Sequence, residues 1–180
     1  MYDLELHNNY LTGAIPASIG KMSKLHGLSL GVNQLSGMIP QELGSLSVLE
    51  GMYLENNNLN GTLPPELGSL KSIVALELDG NSFSGSIPEE LGQLSQVETL
   101  HLQDNRLVGS LPATLSSFSN LTSLFFYGNA LTGLIPTSVE QTMCKLVASP
   151  TMQCNGGDNN FTRAACKQAP CTAKLCNLCS

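Results

Sequence analysis

Along the first 144 residues, apolar and polar positions recur in the same order six times. Leu4, Leu28, Met52, Leu76, Leu100 and Leu124 form one apolar column with a step of 24 residues. Two positions on, Leu6, Leu30, Leu54, Leu78, Leu102 and Phe126 form a second. Three positions before the first column stand Met1, Leu25, Leu49, Ile73, Val97 and Leu121. The alternation in segments such as "LEL" (76–78) has period two, which predicts a short strand with one buried face. The remainder of each copy exceeds the dozen or so residues that a crossover between parallel strands requires. One copy cannot bury its apolar columns alone, but stacked copies can.

Three further columns keep the same step. Asn9, Asn33, Asn57, Asn81, Asn105 and Asn129 carry both donors and an acceptor, so a stacked Asn ladder can satisfy backbone groups where each strand turns away. Gly13, Gly37, Gly61, Gly85, Gly109 and Gly133 suit a tight turn or a close backbone approach. Pro16, Pro40, Pro64, Pro88, Pro112 and Pro136 lack an N–H and fit an irregular return. After each Pro, segments such as "EELGQL" predict a 3-10 or single helical turn on the outer side.

Quoted in full, "LEGMYLENNNLNGTLPPELGSLKS" (49–72) and "IVALELDGNSFSGSIPEELGQLSQ" (73–96) resemble the leucine-rich repeat family in its plant-type, 24-residue form. The resemblance covers residues 1 to about 144. It implies an α/β solenoid: a right-handed superhelix with a parallel inner sheet and a mostly irregular or 3-10 outer side. It also implies similarity to ectodomains of receptor kinases and receptor-like proteins, and to inhibitors of pectin-degrading enzymes.

The two ends depart from the repeat. At a 24-residue step the seventh copy would place Asn at 153, but Gln153 stands there, with Lys145, Ala148 and Pro150 in apolar columns. The expected organisation is therefore six repeats over 1–144 and a cysteine-rich cap over 145–180. All six cysteines fall in or beside that cap: Cys144, Cys154, Cys166, Cys171, Cys176 and Cys179. An even count in a compact tail reads as three disulfides, with zinc and free thiols as the alternatives. Disulfides place the chain outside the cell or at its surface. The opening "MYDLELHNNYLTG" lacks the basic and apolar regions of a signal peptide. It also lacks a capping segment, which predicts an open sheet edge where chains could associate. Asn60, Asn120 and Asn160 begin N-x-T sequons and are candidate glycosylation sites.

Composition narrows the function. Net charge is −6, which argues against nucleic acid. No run of about 18 apolar residues exists, so no membrane span is expected. Catalytic, metal-binding and cofactor-binding residues are not assigned. His101 stands across from Glu77 on paper, but no nucleophile or oxyanion device accompanies the pair. The exposed columns of the strand face are more informative. Counting from Met1 in each 24-residue copy, position 5 reads Glu5, Ser29, Tyr53, Glu77, His101, Phe125. Position 7 reads His7, Gly31, Glu55, Asp79, Gln103, Tyr127. These columns, with positions 2, 3 and 8, hold eight of the fourteen acids and no Lys or Arg. Like charges on neighbouring strands destabilise, so one sign concentrated here points to a partner.

The expected partner face comprises Glu50, Tyr53, Glu55, Glu77, Asp79, Glu98, His101, Asp104, Phe125 and Tyr127. Its expected partner is a protein or peptide, a basic one included, or a glycan. Two alternatives share the scaffold: an enzyme-inhibitor-like protein, and an ice-binding solenoid using the column Thr12, Ser36, Asn60, Ser84, Val108, Thr132.

Overall fold

A computed structural model describes residues 2–148, 153–155 and 159–161. The chain winds as a solenoid in which each coil contributes one strand to each of two parallel sheets. The inner sheet takes Tyr2–Glu5, Leu25–Ser29, Gly51–Tyr53, Ala75–Glu77, Thr99–His101, Ser123–Phe125 and Gln153–Asn155, in chain order. Its register keeps the sequence columns aligned: Leu28 opposes Met52, Met52 opposes Leu76, Leu76 opposes Leu100, and Leu100 opposes Leu124. These residues project into the core and are almost wholly buried.

The return path is more ordered than an irregular connection. Residues before each Pro pair into a second seven-stranded parallel sheet, which includes Asn58–Thr62, Ser82–Gly85 and Arg106–Gly109. The prolines lie just beyond its strands, where no ladder bond is needed. Pro88, at φ −63° and ψ 138°, leads into the 3-10 turn Glu89–Gln93. Equivalent turns span Ala17–Lys21, Gln41–Ser45, Pro65–Ser69 and Ala113–Ser117. They pack tightly through a glycine column, Gly20, Gly44, Gly68 and Gly92. A Cβ at Gly68 would overlap the backbone carbonyl of Glu90 in the next coil. The next member of the column is Ser116, in the turn Ala113–Ser117, which packs against the helix Thr137–Ala148 in place of a further 3-10 turn.

The Asn ladder forms as its chemistry requires. Asn57 donates to Leu30 O (3.0 Å) and Leu54 O (3.2 Å), and accepts from Leu35 N (2.9 Å). From Asn33 onward, each side chain thereby ties its own coil to the preceding one.

The stack continues past residue 144, where the 24-residue pattern stops. Gln153–Asn155 pairs with Ser123–Phe125, and Asn160–Phe161 pairs with Ala130–Gly133. Asn159, not residue 153, takes the ladder position: it accepts from Leu131 N (3.0 Å) and donates to Phe126 O (2.9 Å). The helix Thr137–Ala148 replaces the five-residue turn with twelve residues, which accounts for the longer coil. Cys144 and Cys154 are described only as backbone in these elements. The disulfide reading of Cys166, Cys171, Cys176 and Cys179 lies outside the described residues. Among those described, no helix is long and apolar enough to cross a membrane.

Candidate recognition face

Period-two alternation turns positions 5 and 7 of each coil to the side opposite the core. Glu77 opposes both Tyr53 and His101, and His101 opposes Phe125. The four position-5 side chains therefore run Tyr53, Glu77, His101, Phe125 across adjacent coils. Beside them, position 7 runs Glu55, Asp79, Gln103, Tyr127.

Glycines make room for this arrangement. The Glu55 carboxylate occupies the place where Gly31 would carry a Cβ, and the Tyr53 ring lies over Gly51. Both glycines are buried beneath these side chains.

His101 is held on three sides. Its Nε2 is 2.8 Å from Ser123 Oγ. Its ring stacks on Phe125 with centroids 4.7 Å apart and planes 20° from parallel. Its Nδ1 lies 3.8 Å from Glu77 Oε2. Phe125 in turn meets Tyr127 at 6.2 Å and 57°. The acid–imidazole neighbourhood read from the sequence therefore exists.

Electrostatics at the centre is one-sided. Burial raises the Asp79 carboxyl above its usual range, and Glu77 and Asp104 push it further, against a smaller lowering by its own backbone hydrogen bond and His101. Burial likewise raises Glu55, with Glu77 and Asp79 adding to it. The Tyr53 hydroxyl is raised by burial, then by Glu77, Glu5 and Glu55. The ion pairs among described residues are His7–Glu5 (3.1 Å) and His101–Glu77 (3.8 Å), and neither involves Lys or Arg.

Not every expected site residue joins this centre. Glu50 and Glu98 are exposed just before their strands begin. Asp104 is exposed and sits at a left-handed backbone position, φ 54°. Its column reads Asn8, Val32, Asn56, Gly80, Asp104, Gly128, and all six have positive φ. The preference of Asn, Asp and Gly for that conformation accounts for five of the six. Two residues not singled out in the sequence belong to the site. Gln103 fills position 7 between Asp79 and Tyr127, and Ser123 fixes the His101 ring. Membership of the inner columns was the signal for both, but neither carries charge.

A leucine-rich repeat family model matches residues 1–59, and a second matches 72–94, 96–118 and 120–141. The ectodomain of BIR2 from Arabidopsis thaliana is 37% identical with a TM-score of 0.64, and the match covers 71% of this chain and 67% of that one. The chain belongs to the leucine-rich repeat family. Other similar structures are larger. The plant peptide hormone receptor RGFR1, in complex with RGF2, gives a TM-score of 0.81 at 29% identity over 88% of this chain and 24% of that one. The Arabidopsis receptor kinase HAESA, in complex with the peptide hormone IDA and the co-receptor SERK1, gives 0.72 at 39% identity over 74% and 23%. The leucine-rich repeat chain thus spans about a quarter of the length of these receptors. Comparison with curated protein sequences finds no significant match.

Proposed function

We propose that this leucine-rich repeat domain is an extracellular recognition module whose inner face binds a basic peptide or a basic segment of a protein. One observation carries the reading: Glu55, Glu77 and Asp79 crowd onto adjacent coils, and no described Lys or Arg forms an ion pair with them. A surface built for stability alone would mix signs. The flanking Tyr53, Phe125 and Tyr127 offer aromatic area, the kind that anchors interfaces. A ligand Lys or Arg would relieve the repulsion while its aliphatic stem lies on these rings. The peptide receptors similar to this chain support a peptide ligand, and the acidic centre supports a basic one. A protein or peptide in extended form fits a strand face that spans several coils.

The test is selection from a displayed random-peptide library. The wild-type domain should enrich Lys- and Arg-bearing sequences, and E55K/E77K/D79K should not. Equal enrichment by both proteins, or none by the wild type, overturns the reading.

A further inference from the structure

The three buried side-chain oxygens without a hydrogen-bond partner among the described residues all come from one column: Glu55 Oε2, Asp79 Oδ1 and Gln103 Oε1. They stand at position 7 of three successive coils. All three are acceptors. A buried acceptor without a partner loses its hydration for nothing, so three in a row mark a place where a cation or donor belongs.

Glu77, Asp79 and His101 each offer one ligand atom here, and those atoms lie within 4.8 Å of one another. The parallel register places Glu77 across from His101, and so Asp79 across from Gln103. By register the four residues form a square on the inner face, and the fourth, Gln103, carries one of the orphaned oxygens. Gln103 is only 7% exposed. The histidine is also prepared. The hydrogen bond between Nε2 and Ser123 Oγ, 2.8 Å long, turns Nδ1 toward Glu77, 3.8 Å from its Oε2. A ring fixed through one nitrogen so that the other faces the ion is how metal-binding imidazoles are oriented.

We infer that Glu77, Asp79 and His101 bind a divalent transition-metal ion, with Gln103 Oε1 accepting from a water on it. One imidazole and two carboxylates suit zinc better than calcium, whose ligands are oxygen. Bonds of about 2.0–2.2 Å separate ligands by roughly 3–4 Å, so the side chains draw slightly inward on binding. Three protein ligands leave one tetrahedral position, the water's, which a partner group could take over.

The test is calorimetric titration of the chelator-treated full chain with Zn2+, after alkylation of any free thiol so that cysteines cannot contribute. The expected result is one equivalent bound, at least tenfold tighter than Ca2+. H101Q and D79N should each weaken Zn2+ at least tenfold while circular dichroism stays unchanged. Nδ1 of ring-labelled His101 should shift on saturation. No Zn2+ bound by the wild type, or Zn2+ bound equally by wild type, H101Q and D79N, overturns the site, and Ca2+ bound as tightly as Zn2+ overturns the choice of ion. The titration contains no peptide, so its failure and that of the peptide reading are separate results.

Discussion

The side-chain amide of Asn105 donates across the coil boundary to Leu78 O, 3.1 Å away. The same Nδ2 also serves Leu102 O (3.2 Å) and Gln103 O (3.1 Å), while Oδ1 accepts from Phe83 N (2.9 Å). Asn105 is 9% exposed, so water cannot replace these bonds. Asn105→Ala leaves several buried backbone groups unpaired and should cost about 3 kcal/mol, since each such group costs about 1–3 kcal/mol. Asn9 is exposed and donates only within its own coil, to Leu6 O and His7 O. Asn9→Ala should cost under about 1 kcal/mol. Urea unfolding of both variants checks the contrast, and equal losses would mean that the ladder acts locally and not between coils.

Gly68 belongs to the column packed against the next coil's 3-10 turn. In Gly68→Ala the new methyl group meets the Glu90 backbone, which cannot rotate away. The coils must part, at a cost of about 1–3 kcal/mol or more. Gly13 has nothing within 4 Å of a would-be Cβ, so Gly13→Ala tests strain alone, through its φ of 84°. Thermal unfolding of the two variants separates overpacking from backbone strain.

Val32 holds φ at 53°, a region that β-branched residues strongly avoid. Its equivalents in neighbouring coils are Asn8 and Asn56. Its side chain is 45% exposed, so little packing is lost on replacement. Val32→Asn should stabilise the domain by about 1 kcal/mol, the lower end of the strain such a residue stores. A lower unfolding midpoint for the variant would contradict this.

Asp79 and Glu55 have raised pKa values in the folded chain, chiefly through burial. The folded state therefore holds these protons more tightly than the unfolded chain does. Their contribution to stability is complete below the ordinary carboxylate range, about pH 4, and is lost as pH rises through the raised values. At neutral pH both are destabilising. In the presence of chelator, D79N and E55Q should each melt above the wild type at pH 7, and the gap should close below about pH 4. A gap that persists in acid would place its origin in something other than ionisation.

The coil is legible from the order of residues alone. Leu76, Leu78, Asn81, Gly85 and Pro88 each answer to a local rule, of strand alternation, side-chain capping or backbone freedom. Identical rules every 24 residues leave stacking as the way to bury the apolar columns. The acidic and aromatic columns were legible for the same reason, since position in the repeat fixes which face a residue takes. What crosses between coils follows from their packing. The second sheet was hidden because Ser82–Gly85 reads as loop until neighbouring coils supply its partners. The seventh coil was hidden because the helix Thr137–Ala148 breaks the spacing, and only packing brings Asn159 to the ladder. The square of Glu77, Asp79, His101 and Gln103 joins residues from two coils, and the orphaned oxygens at its edge come from burial, which no single copy of the repeat produces.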